Sequence, residues 1–223
     1  MVQSPSPGQY TVQCPSDDDV LKVLKAAALT PFGPMVRFIT MTGLRRGEAI
    51  ALRWENVDLD RGVLAVTGTA QRFRGQGIVV ESPKSQAGRR AVAIDPDTVQ
   101  MLRDHRGRQL LRAVELDGAF EDNGLVFPGP RGRLMDPPYL TRAFKKMAAV
   151  AGVPHMRLHD LRHGHAAGLI RSGAHMKVIQ SRLGHASAAF TMQVYGHIEA
   201  DMQEDAANAY ANRLSERARI AKE

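Results

Sequence analysis

The chain has 223 residues, enough to bury a substantial core in one domain with tails. Its hydrophobic fraction of 43% is ordinary for a soluble globular protein, and no apolar run approaches the roughly 18 to 20 residues that a membrane span requires. The net charge is +7; residues 1–19 carry −3 and residues 199–223 carry −2, so +12 falls on the stretch between them, a footprint suited to a polyanion.

The first 15 residues are rich in Ser, Pro and Gln and read as a linker or disordered lead-in. They have neither the basic start nor the apolar stretch of a secretory signal. The single cysteine, Cys14, excludes an internal disulfide and fits a reducing cytosol. A cytoplasmic protein with a nucleic acid partner is the expectation.

From Ser16 the pattern is helical. Ser16 or Asp17 serves as N-cap, and Val20, Leu21, Val23, Leu24 and Ala27 form an apolar face. A second helix fits Pro34 to Met41 and ends at Gly43, and a third runs from Arg46 to about Leu52. The period then changes. Residues 63–66, 78–80 and 91–94 are short β-type runs, which predicts one small antiparallel three-stranded sheet with Lys84 in the connection between its second and third strands.

Helices then resume. Asp95-Pro96 and Asp136-Pro137 each pair an N-cap with a proline at the first helical position; the first helix runs to about Val114 and Gly152 closes the second. Three more fit 159–172, 175–183 and 188–195, punctuated by Gly173 and Gly184. In the tail, Ile198, Met202, Ala206, Tyr210, Leu214 and Ala218 recur every four residues as a helical apolar stripe. Packing on its own domain and docking on another chain both account for that stripe. The fold class is mainly α with a small antiparallel sheet. The organisation is a lead-in over 1–15, a domain over 16–199 and an amphipathic tail over 200–223.

Four short stretches carry the chemistry: "TGLRRGE" around Arg45, "SPKSQAGRR" around Lys84, "LHDLRH" around His159 and "RLGHASAAFTMQVYGHI", which holds His185 and Tyr195. Breaking a phosphodiester with a side chain requires neutralising its non-bridging oxygens, aligning a nucleophile and protonating the departing oxygen. Arginine suits the first task because its rigid fork makes paired bonds to phosphate oxygens. Taken alone, each residue has an ordinary reading. Arg45 and Arg46 would be solvated charges, and Lys84 competes with Arg89 and Arg90 for any phosphate role. His163, His165 and His175 fit structural or surface positions, and Tyr139 and Tyr210 fit half-buried packing beside Tyr195. Trp54 reads as core or as a wedge under the helix that follows Arg45.

The order of these stretches resembles the catalytic domain of the tyrosine recombinase (phage integrase) family, from about Ser16 to Glu199. The resemblance implies Arg45 as the first catalytic arginine, with Glu48 a supporting carboxylate one turn on. It implies Lys84 as general acid for the 5′-oxygen, His159 and Arg162 as the H-x-x-R pair, and His185 as a third phosphate-side donor. Tyr195 becomes the nucleophile that forms a 3′-phosphotyrosine. Arg46, Arg89 and Arg90 are candidate DNA contacts. Double-stranded DNA is the implied partner, with a homo-oligomer, a tetramer on DNA, held through the tail. Rejoining needs no ATP because the covalent bond keeps the strand's bond energy, and no G-x-x-x-x-G-K-[ST] loop is present.

Neither a cofactor nor a metal is expected. His159 and His163 stand four apart, but Asp160, Leu161 and Arg162 lie between them rather than a glutamate base, and an arginine there repels a dication. Two rival readings share the fold: a type IB topoisomerase-like nicking and closing enzyme, and a non-catalytic DNA-binding regulator. Family members place a helical clamp domain ahead of the catalytic one; the short lead-in here suggests a fragment or a minimal form.

Overall fold

The computed structural model describes residues 14–83, 88–185 and 203–220. Lys84, Tyr195 and the helix expected over 188–195 lie outside them. Helix α1 spans Asp17–Ala28, and Ser16 caps it by accepting the Asp19 amide at 3.1 Å. Three aspartates in its first turn meet the positive end of the helix dipole.

Helix α2, Gly33–Thr42, is apolar almost all round, and a helix of that kind belongs in the middle. Met35, Val36, Phe38 and Ile39 are buried in the core, and the helix touches α1, α4 (Pro96–Glu115) and α6 (Asp160–Arg171). Thr40 and Thr42 tolerate burial by returning their hydroxyls to the Val36 and Phe38 carbonyls. Gly43 ends the helix with φ of +66°; a Cβ there would stand 2.5 Å from the His165 ring, so both backbone and space require glycine. Helix α3, Arg46–Ala51, follows directly.

The β region departs from expectation. Strands β1 (Val57–Asp58), β2 (Val63–Val66) and β5 (Arg90–Ala93) form an antiparallel sheet in the order β1-β2-β5, with Leu64 opposite Val92. Strands β3 (Thr69–Phe73) and β4 (Gly77–Glu81) form a separate hairpin. The run 78–80 therefore pairs with a polar strand, TAQRF, whose charged and amide side chains hide its β character in the sequence. Gly75 and Gly77, at φ of +83° and +80°, turn the hairpin. The class stands as mainly α with small antiparallel sheets.

Helix α4 opens on Asp95 as expected, its carboxylate accepting the Thr98 amide at 2.9 Å. Helix α5, Pro137–Val150, also opens after its aspartate, but Asp136 makes no cap bond. Arg72 of β3 takes that carboxylate instead, at 2.7 Å. Helices α6 and α7 (Met176–Leu183) pack through a small cluster of Ala166, Ala167, Ile170, Ile179 and Leu183. Helix α8 covers Gln203–Ile220, and the stripe residues Tyr210 and Leu214 are 65% and 51% exposed on it. Tyr139 packs edge-on against Phe32 while 42% of it stays exposed. Among the described residues no helix is long and apolar enough to cross a membrane.

Candidate active site

The turn Gly43–Arg45 delivers Arg45 to the N-cap position of α3. Glu48, one turn on, accepts the Arg45 amide at 2.8 Å and its guanidinium at 2.9 Å. This pins the arginine main chain and side chain to one carboxylate. Arg45 remains 42% exposed, so its outer face opens to solvent. Burial pushes the Glu48 carboxyl up, but the hydrogen bonds and charge of Arg90, joined by Arg45, outweigh burial and hold it below its ordinary value. Glu48 is therefore ionised at neutral pH.

Helix α6 supplies the next group. Asp160 is buried and accepts the Arg157 amide at 2.7 Å and its guanidinium at 2.9 Å, which fixes the turn that carries His159. The His159 ring meets His163 edge-on, with centroids 4.7 Å apart. Partial burial and then the charge of Arg162 lower the His159 pKa, so the ring is neutral at neutral pH. The same causes act harder on His185, whose pKa falls to about 4 through burial and the charges of Arg162, Arg45 and Arg90. Neutral His185 offers a hydrogen bond rather than a charge.

Arg162 is buried and donates to the Gly43 carbonyl at 2.6 Å and the Leu183 carbonyl at 2.5 Å. It thus joins the turn before Arg45 to the end of α7. Two other arginines reach the same end. Arg90 Nε donates to the Arg182 carbonyl at 2.7 Å, and Arg45 reaches the Gly184 carbonyl at 3.4 Å. Three successive carbonyls, 182 to 184, are held by three arginines from three different elements, directly ahead of His185. Helix C-terminal carbonyls lack intrahelical partners and carry partial negative charge, which makes them natural acceptors for guanidinium.

Arg45, Arg46, His159 and Arg162 line one cleft of about 450 Å³, with Thr69, Ala70 and Gln71 of β3 forming a wall. His185 lies near enough for the charges of Arg162 and Arg45 to act on its ring. Four of the six positions marked in the sequence are thereby brought together; Lys84 and Tyr195 lie outside the described residues. The ends of the connection holding Lys84 touch, since a Cβ on Gly88 would stand 2.5 Å from the Pro83 Cβ. Among the described residues no group of three or more His, Cys, Asp or Glu side chains is placed to hold a metal ion.

Of the three candidate DNA contacts, Arg46 and Arg89 are exposed, and Arg46 leans on the Thr141 hydroxyl. Arg90 corrects the expectation. Its guanidinium is buried on Glu48, with bonds of 3.0 and 2.9 Å to the two carboxylate oxygens, and so faces the interior rather than a DNA backbone. Arg182 carried no expectation from the sequence. It bonds His165 Nε2 at 2.9 Å, the Ala93 carbonyl at 2.8 Å and the Met41 carbonyl at 3.1 Å, tying α6, β5 and α2 together. Only its place in the last turn of a helix hinted at such a role. Trp54 packs partly buried against the core, as one of its two readings expected, with the Arg106 guanidinium over its ring and its N–H on Gln109.

Residues 18–202 match the family profile described as the phage integrase family. A relative named "Tyrosine recombinase XerC-like", from Caldanaerobacter subterraneus subsp. tengcongensis, is 28% identical over 202 residues, covering 82% of this chain and 50% of its own length. The chain spans about half the length of the curated relatives it matches. Among solved structures, the Tn1549 transposon integrase in complex with transposon right end DNA superposes with a TM-score of 0.70 at 18% identity, over 96% of this chain and 69% of that one. The catalytic domain of bacteriophage HP1 integrase gives 0.56 at 21% identity, over 89% of this chain and 95% of that one. At these identities the structural likeness concerns the fold.

Proposed function

This chain belongs to the phage integrase family, and we propose that it is the catalytic part of a site-specific DNA recombinase that cuts and rejoins strands through Tyr195. The observation that carries this reading is the gathering of Arg45, His159 and Arg162 on one cleft with His185 beside it. The partner is double-stranded DNA, consistent with the positive charge of the middle of the chain.

The chemistry runs as follows. The scissile phosphate sits against Arg45 and Arg162, whose forks neutralise its non-bridging oxygens. The Tyr195 phenol has an ordinary pKa near ~10, so it needs a proton acceptor or a cationic setting to attack. His159, neutral at neutral pH, accepts that proton. The Tyr195 oxygen bonds to phosphorus and the bond from phosphorus to the 5′-oxygen breaks; Lys84 protonates the departing oxygen. A 5′-hydroxyl attacking the 3′-phosphotyrosine reverses every step and releases the tyrosine. Neutralisation by arginines makes a metal unnecessary, and the retained phosphoester makes ATP unnecessary.

A nicked duplex pool with a randomised centre tests this. Cleavage near the nick releases a short strand and traps a covalent protein–DNA band, whose sequencing gives the site. Tyr195→Phe abolishes the band while sparing binding, and chelator leaves it unchanged. A band that persists in Tyr195→Phe overturns the assignment. The tail belongs to the same reading: α8 docks on a second copy of this chain in an assembly on DNA. Unchanged assembly after deletion of 200–223 would refute that part alone.

A further inference from the structure

Arg90 sits at the start of β5, six residues after Lys84, and is almost wholly buried. A buried guanidinium needs its donors filled, and Arg90 fills them from three separate places. Nη1 and Nη2 bind the two Glu48 oxygens side by side, Nε binds the Arg182 carbonyl at the end of α7, and Nη1 also approaches the Gly88 carbonyl at 3.4 Å. Glu48 in turn holds both the amide and the guanidinium of Arg45. One side chain therefore spans the α3 carboxylate that aims Arg45, the far end of the connection that carries Lys84, and the helix end that precedes His185.

We propose that Arg90 is a positioning residue for strand cleavage: through Glu48 it sets the Arg45 guanidinium, while its bonds to the Arg182 and Gly88 carbonyls fix where Arg90 itself sits. The carboxylate explains why an arginine is needed. Without Arg90, Glu48 would have only Arg45 to answer its charge, and would draw that guanidinium inward, away from the cleft. Lysine at position 90 would keep the charge but lose the parallel pair of bonds and the reach to Arg182. Misplacing a reacting group by about 1 Å costs on the order of 100-fold in rate, so small shifts at Arg45 suffice.

This inference rests on the recombinase reading above, and the test separates the two. The 223-residue chain and its R90K and R90Q variants are offered the nicked duplex sequence that the unaltered chain captures. Covalent capture at saturating DNA falls about 10- to 100-fold in both variants, whereas affinity for the same duplex in a Tyr195→Phe background changes less than about threefold. A duplex whose scissile phosphate is a neutral methylphosphonate gives the diagnostic readout. With no anionic charge to neutralise, the loss caused by Arg45→Ala shrinks, and a loss transmitted through Arg45 shrinks in proportion. R90Q combined with Arg45→Ala is then no slower than Arg45→Ala alone by more than about threefold, as expected for one unit.

Full capture by folded R90Q or R90K overturns the proposal and leaves the recombinase reading intact. So does an R90Q defect of equal size on both duplexes. If neither variant folds, Arg90 is a scaffold residue only and the proposal falls. No Tyr195-dependent band from the unaltered chain sinks the recombinase reading itself.

Discussion

Gly47 lies so close to Ala70 that a Cβ on it would stand 2.6 Å from the Ala70 carbonyl oxygen and 2.4 Å from the Thr69 hydroxyl. Helix α3 and strand β3 thus press backbone to backbone, and this contact sets the width of the cleft beside Arg45. Gly47→Ala forces the hairpin away and costs about 1–3 kcal/mol, the usual range for overpacking. Calorimetry shows this as a drop of roughly 2–10 °C in melting temperature. An unchanged melting temperature would mean the hairpin yields freely and is no wall.

Arg45 and Arg162 share a role in the proposed chemistry but not in the scaffold. Arg162→Ala strips partners from the Gly43 and Leu183 carbonyls and destabilises by about 2–5 kcal/mol. Arg45→Ala leaves Glu48 still paired with Arg90, so its cost stays within about 1 kcal/mol. Denaturant titration of the two variants side by side checks the contrast, and equal losses would contradict it.

Glu48→Gln keeps the shape of the side chain and removes its charge. Arg90 is then a buried cation without a counter-ion, a change worth about 3–5 kcal/mol. A melting temperature within two or three degrees of the unaltered chain would show that Arg90 finds another acceptor.

Stability should fall with acid. His163, His165 and His185 each have a folded pKa of about 4, held below the ordinary 6.5 by burial first and then by neighbouring cationic or histidine groups. Between these two values the unfolded chain binds protons that the folded chain refuses. Their contribution is fully present above about pH 6.5 and disappears as pH falls toward 4. Glu48, with its lowered pKa, works in the same direction below its ordinary range. Melting temperature measured from pH 7.5 to 4.5 declines most steeply below 6.5. A flat profile would place these imidazoles in water.

The helices were legible in the sequence because their signals are local. Ser16, Asp95-Pro96, Gly43 and Gly184 each act within a few residues, and the helix ends fall within a residue or two of them. Pairing is not local. Strand β2 joins Val63 to Ala93 across the whole hairpin between them, and the polar strand β3 carries no apolar alternation to announce itself. Arg45, His159 and Arg162, named from the ordered motifs, line one cleft although they come from distant parts of the chain. Arg90 shows the same limit: a basic residue at the start of a strand looks solvated until its partner, 42 positions away, is known. Arg182 escaped notice because its acceptors are main-chain oxygens, which every sequence has.

The division of labour between the two cleft arginines also bears on how such a chain drifts. Arg162 is retained by any pressure that rewards a folded, protease-resistant product, whether or not strands are ever exchanged. Arg45 has no such protection. In a copy kept only for a folded product, position 45 would change before position 162.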